Sequence, residues 1–129
     1  MNAIPLLLIP VIIAHILVLI GGGLETAWIT FTLPSGAPFS LTGGTVTLFV
    51  GLLTLFAEVF KATRSTRASM LDQSLSLSLF VILLIEFLLW GAAANGVFFL
   101  LMAMTLVDVI AGFAVGLAVA RRDIGIMRE

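Results

Sequence analysis

The sequence predicts an all-α integral membrane protein: a four-transmembrane-helix bundle with cytoplasmic N- and C-termini and a short surface β-hairpin between helices 1 and 2. Three observations predict it. The chain is 61 % hydrophobic and only 10 % charged, whereas a water-soluble domain carries about 25 % charged residues. Its apolar residues fall into four runs, each close to the roughly 20 residues that a spanning helix needs. All six Lys and Arg residues sit in two places, Lys61/Arg64/Arg67 and Arg121/Arg122/Arg128, and basic residues near span ends are retained in the cytoplasm.

One membrane domain fills residues 1–129, with spans at about 4–22, 43–61, 74–90 and 97–120. In the first, Pro5 suits an opening turn, whereas Pro10 removes a donor deeper in and predicts a bend that relaxes the carbonyl of Leu6. Gly21-Gly22-Gly23 ends this helix. The segment has no Lys or Arg before its apolar run and the glycines make a poor cleavage site, so it is expected to be retained and not removed as a signal peptide.

Between Leu24 and Thr42 the periodicity changes. Ala27, Ile29, Phe31 and Leu33 alternate with Trp28, Thr30 and Thr32, a period of two that predicts a strand. Pro34-Ser35-Gly36-Ala37-Pro38 is a turn signal, and Phe39 to Thr42 can return as a second strand. The expectation is a hairpin on the membrane surface with Trp28 at headgroup level; the competing reading is an irregular apolar loop.

The second span, Gly43 to Lys61, leads into a basic loop, 61–73. The Ser74-Leu75-Ser76-Leu77-Ser78 alternation looks strand-like, but the apolar run continues to Trp90 and only a helix satisfies its own backbone in lipid. Gly91 to Gly96 joins the third and fourth spans, making them antiparallel neighbours. The basic loop and the C-terminus then share the cytoplasmic side, and a bacterial inner membrane is the expected setting. The two halves show no matching pattern, so an inverted-repeat transporter is not supported.

Polar and small residues recur at helical spacing. Thr47, Gly51, Thr54 and Glu58 share one face of the second span. Ser74, Ser78, Glu86 and Trp90 form a stripe on the third, and Asp108, Gly112, Gly116 and Ala120 form one on the fourth, with Thr105 beside it. Gly51, Gly112 and Gly116 are expected to serve helix packing, the last two as a small-xxx-small motif.

Four ionisable residues, Glu58, Glu86, Asp108 and His15, make up the expected proton, ion or interhelical polar site. A charge at mid-membrane costs about 2.5–3.5 kcal/mol on insertion scales. Glu58 lies near the cytoplasmic end with Lys61 three residues on, which predicts an interfacial ion pair. For Glu86 and Asp108 three states stay open: protonation, partial charge transfer from His15, or a bound cation. Counted at 1.5 Å per residue, Glu86 lies about 7 Å and His15 about 9 Å inside the outer face, so those two can meet. Asp108, about 17 Å in, belongs beside Phe80 and reaches Glu86 only through water, along Thr105, Ser78 and Thr54.

The net charge of −1 gives nucleic acid no basic surface to bind. Without cysteine there is no thiolate site, and no HExxH, GxSxG or phosphate-cradling motif is present. No catalytic residue and no metal site is expected: His15 with Glu86 lacks supporting ligand spacing, and one histidine cannot ligate a haem from both sides. The cofactor question stays open. Small fluoride channels, multidrug exporters and holins share the size or part of the layout, but the signature of none is present; the exporters' first-helix glutamate has no counterpart beside His15.

Two functional readings follow. One is a non-enzymatic accessory, assembly or scaffold subunit of a larger membrane complex, partnered by the lipid bilayer and by another membrane protein; the alternative partner, itself as a homo-oligomer, belongs to the second reading. The other is a small proton- or cation-coupled channel or carrier using Glu86 and Asp108.

Overall fold

A computed structural model describes residues 5–64 and 69–128. In chain order it contains α1 (Leu8–Ile20), β1 (Ala27–Thr32), β2 (Pro38–Thr42), α2 (Gly43–Arg64), α3 (Ser69–Leu89), a single 3₁₀ turn (Gly91–Ala93) and α4 (Gly96–Arg128). Four helices and one two-stranded hairpin are the elements the sequence predicts. Their ends differ. The expected loop over 62–73 shrinks, because α2 runs on to Arg64 and α3 begins at Ser69; Arg67 lies outside the described residues.

α1 is shorter than its apolar run. Pro10 stands third in the helix, within the opening turn, where amides have no intrahelical partner in any case. The carbonyl of Leu6 is not relaxed by a bend: it accepts the Ile9 amide at 3.0 Å, while Pro5 accepts that of Leu8 at 3.1 Å. No side chain of its own caps this helix at Leu7, and its first turn has no acid. It ends where Gly21 and Gly22 take φ of 88° and 73°, a region glycine enters without penalty.

The hairpin pairs Ile29 with Leu41, Thr30 with Ser40, Phe31 with Phe39 and Thr32 with Pro38, antiparallel. Gly36, at φ 90°, turns the chain, and the Leu33 amide bonds the Ala37 carbonyl at 2.8 Å. Trp28 is the extra residue of a bulge between the Ala27–Thr42 and Ile29–Leu41 pairs. β2 enters α2 with no spacer. The amides of Gly43 and Gly44 bond the carbonyls of Thr26 (3.1 Å) and Leu24 (2.8 Å). A Cβ on Gly44 would stand 2.7 Å from a Val97 methyl and 3.0 Å from the Leu24 carbonyl, so both glycines are required by close approach.

Contacts between helices fix their directions. Leu6 meets Glu58 while Gly23 meets Gly43, so α1 and α2 are antiparallel. Gly44 meets Val97 while Gly51 meets Leu101 and Met104, so α2 and α4 run parallel. Gln73 bonds the Val109 carbonyl while Phe87 meets Phe99, so α3 and α4 are antiparallel. The hairpin, the C-terminal ends of α1 and α3, and the N-terminal ends of α2 and α4 therefore share one end of the bundle. α4 is the hub: α2 and α3 flank it, and α1 lies mainly on α2 with its side on α4. The core packs Leu7, Val11 and Ala14 of α1 against Leu83 of α3 and Phe98, Leu101 and Met104 of α4.

The outside is also apolar. Leu19, Leu52, Phe56, Leu88, Leu89 and Phe113 are all exposed. Gly43–Lys61 and Gly96–Ala118 are long and apolar enough to cross a membrane, and Leu8–Ile20 and Gln73–Leu89 are shorter apolar helices.

Candidate functional site

Two acids bind across helices. Glu58, on the α2 face that meets α1, is only 2 % exposed. One carboxylate oxygen lies 3.2 Å from the Lys61 ammonium; the other accepts the backbone amide of Leu6. The Lys61 pair is the expected one. The Leu6 bond is an addition: Leu6 lies in the turn leading into α1, just before the N-cap Leu7, and an acid from α2 supplies an acceptor for its amide and the negative charge that a helix N-terminus favours.

Glu86 and His15 meet near the hairpin end, linking α3 to α1. His15 Nδ1 lies 2.8 Å from the Val11 carbonyl, and Nε2 lies 2.9 Å from each carboxyl oxygen of Glu86. A carbonyl only accepts, so Nδ1 carries a proton. Nε2 then faces the carboxyl group of Glu86, and a hydrogen bond between them needs a proton on one of the two. The imidazole stacks on Trp90 at 5.8 Å and meets the Phe98 edge at 5.3 Å. The two side chains are 28 % and 27 % exposed. Sequence depth anticipates this meeting; the aromatic walls have no sequence signal beyond Trp90 sharing the Glu86 stripe.

Asp108 is buried on α4, ten residues beyond Phe98, which is about 15 Å along the axis. It is thus a separate site from Glu86. The hydroxyls expected to line a path between them turn back on their own helices. Thr54 donates to the Gly51 carbonyl at 2.9 Å, Ser78 to Ser74 at 2.9 Å and Thr105 to Met102 at 2.6 Å; Thr47, elsewhere on the polar face of α2, does the same to Gly43 at 2.7 Å. Such back-bonding is the local habit of hydroxyls within helices.

The three glycines differ. A Cβ on Gly51 would lie 2.8 Å from Met104 Sδ and 3.4 Å from a Leu101 methyl, a close α2–α4 contact. At Gly112 the space is filled by the Gln73 amide, and Gly116 faces open space among the described residues. Gln73, which also donates to the Val109 carbonyl, was not singled out by sequence; a lone amide at the polar end of an apolar helix is its only signal. Among the described residues no three His, Cys, Asp or Glu side chains converge as a metal site would require.

No protein-family model, curated protein or solved structure matches the chain.

Proposed function

We propose that this chain is an integral membrane protein acting as a non-enzymatic accessory, assembly or scaffold subunit of a larger membrane complex. The membrane reading draws on the two long apolar helices, the apolar outer surface and the placement of charge. Residues 1–60 hold no Lys or Arg. Lys61 and Arg121 lie towards the end opposite the hairpin, which the positive-inside tendency makes cytoplasmic. Four crossings then put both termini there, in a bacterial inner membrane, with the hairpin outside.

The subunit reading rests on one observation. The two acids are occupied in holding the bundle together, Glu58 and Glu86 tying α1 to α2 and to α3, while the hydroxyls of Thr54, Ser78 and Thr105 are taken up by their own helices. Polar bonds that cross between helices, as those of Glu58 and Glu86 do, act as glue between packed helices. Purification of the full chain in mild detergent, with identification of co-purifying proteins, tests this. A stoichiometric partner is expected; a lone oligomer refutes it.

A second reading, a proton- or cation-coupled carrier, is favoured by the buried Asp108 and by the His15–Glu86 hydrogen bond. In proteoliposomes, Asp108→Asn would abolish a pH-gradient-driven flux under that reading and leave assembly intact under the first.

A further inference from the structure

We propose that the β1–β2 hairpin is a lipid-binding paddle. The face carrying Ile29, Phe31, Phe39 and Leu41 lies in the acyl–headgroup boundary of the outer leaflet, and Thr30, Thr32 and Ser40 turn to water. The proposal rests on the membrane reading above and adds a specific partner, phospholipid, for a segment outside the helices.

The two faces have opposite chemistry. On one, Ile29 pairs with Leu41 and Phe31 with Phe39, the two rings meeting edge-on at 5.6 Å. On the other, the hydroxyls of Thr30 and Ser40 bond at 2.9 Å. Apolar side chains of a water-facing hairpin would be covered, yet Ile29 is 59 %, Phe31 44 % and Phe39 39 % exposed. A segment with one apolar and one polar face partitions into the interfacial layer.

Depth follows from the backbone. A two-stranded hairpin leaves the outer edge of each strand without a strand partner. Such edges are not tolerated in hydrocarbon, which has no water to satisfy them, but the hydrated headgroup layer accepts them. No charged residue lies between Glu25 and Glu58, so the surface carries nothing that would select a charged protein partner or repel a headgroup of either sign.

The tryptophans give the same level. The chain has two, and both lie at the hairpin end: Trp28 in the bulge at the hairpin base, exposed, and Trp90 just past the last turn of α3. Tryptophan concentrates at membrane interfaces. The hairpin is also held in place, since the Gly43 and Gly44 amides clamp its base and no linker separates β2 from α2.

The test uses the full chain in phosphatidylcholine vesicles, with Trp28 and Trp90 replaced by Phe and one new tryptophan at Phe39→Trp (apolar face) or Thr32→Trp (opposite face). Flotation reports membrane insertion independently. The Phe39→Trp emission is expected to be quenched by shallowly brominated lipid about twofold or more above acrylamide, with the ratio inverted for Thr32→Trp. If Phe39→Trp disturbs the helical spectrum, Phe31→Trp on the same face is read instead. Acrylamide quenching of both probes in floated vesicles overturns the paddle and leaves the membrane reading standing. Shielding of the apolar face from both quenchers, with cross-linked dimers, also overturns it by making a second copy the occupant. Failure to float overturns the membrane reading itself, and the paddle with it.

Discussion

Glu58 offers the sharpest test of how α1 is held. Its carboxylate is buried, receives the Leu6 amide and lies 3.2 Å from the Lys61 ammonium. Glu58→Ala removes a hydrogen bond to a charged acceptor, about 1.5–3 kcal/mol, and strips the α1 N-terminus of its acceptor and its favourable charge, about 0.3–2 kcal/mol. These contributions overlap, and removal of one partner of a buried pair costs about 3–5 kcal/mol in all. Because Lys61 is partly exposed and can turn outward, the lower end, about 3 kcal/mol, is expected. Glu58→Gln keeps an oxygen for the amide and loses the charge, so about 1–2 kcal/mol is expected. SDS-titrated unfolding in detergent micelles, followed by far-UV circular dichroism, measures both. Hydrogen exchange localises the effect: the first turn of α1 should exchange faster in Glu58→Ala while α3 and α4 are unchanged. Costs below about 0.5 kcal/mol for both variants, the range of an ordinary surface substitution, with unaltered exchange at the start of α1, would refute the anchoring of α1 by Glu58.

Three further outcomes are expected in the same unfolding assay. His15→Phe and Glu86→Leu should each destabilise by about 1–2 kcal/mol, and the double variant by less than their sum, with a coupling of about 0.5–1.5 kcal/mol; strictly additive costs would show that the pair does not bind α1 to α3. Gly44→Ala, whose Cβ meets Val97 and the Leu24 carbonyl, should cost about 1–3 kcal/mol, whereas Gly91→Ala, with nothing within 4 Å, should stay within about 0.5 kcal/mol; equal effects would contradict the clamp at the hairpin base. Gln73→Ala should lose about 0.5–1.5 kcal/mol through its bond to the Val109 carbonyl, and a neutral result would remove Gln73 from the α3–α4 contact.

The elements with a strong local period were legible in the sequence. Alternation from Ala27 to Leu33 and the Pro34–Pro38 turn specify the hairpin because a strand's two faces are written in neighbouring residues. The Glu58–Lys61 pair was legible because three residues is one turn of a helix. His15 and Glu86 could be matched by counting residues from the helix ends, since rise per residue is a constant. What stayed hidden depends on how helices approach each other. Nothing near Leu6 tells that its amide will find an acid 52 positions away. Nothing near Gly43 and Gly44 tells that Gly23, Leu24 and Val97 will crowd them. The role expected of Pro10 failed for a related reason: the helix starts at Leu8, so a proline that counts as deep in the apolar run is shallow in the helix. Hydroxyl stripes at Thr54, Ser78 and Thr105 mark a shared face equally well whether the protons point across helices or back along them, and only the rotamers decide.

The position of α4 as hub bears on the order in which the chain can assemble during synthesis. α1 and α2 already contact one another through Leu6–Glu58 and Gly23–Gly43, so the first half can close as soon as it has left the ribosome. α3 emerges next into a different situation. Its main neighbour, α4, is translated after it, and among the described residues the helix made just before it barely touches it. Until α4 arrives, α3 is held only by its contacts with α1, Leu83 against Val11 and Ala14 and Glu86 on His15, and a nascent chain halted before Gly96 would leave the face of α3 that meets α4 uncovered.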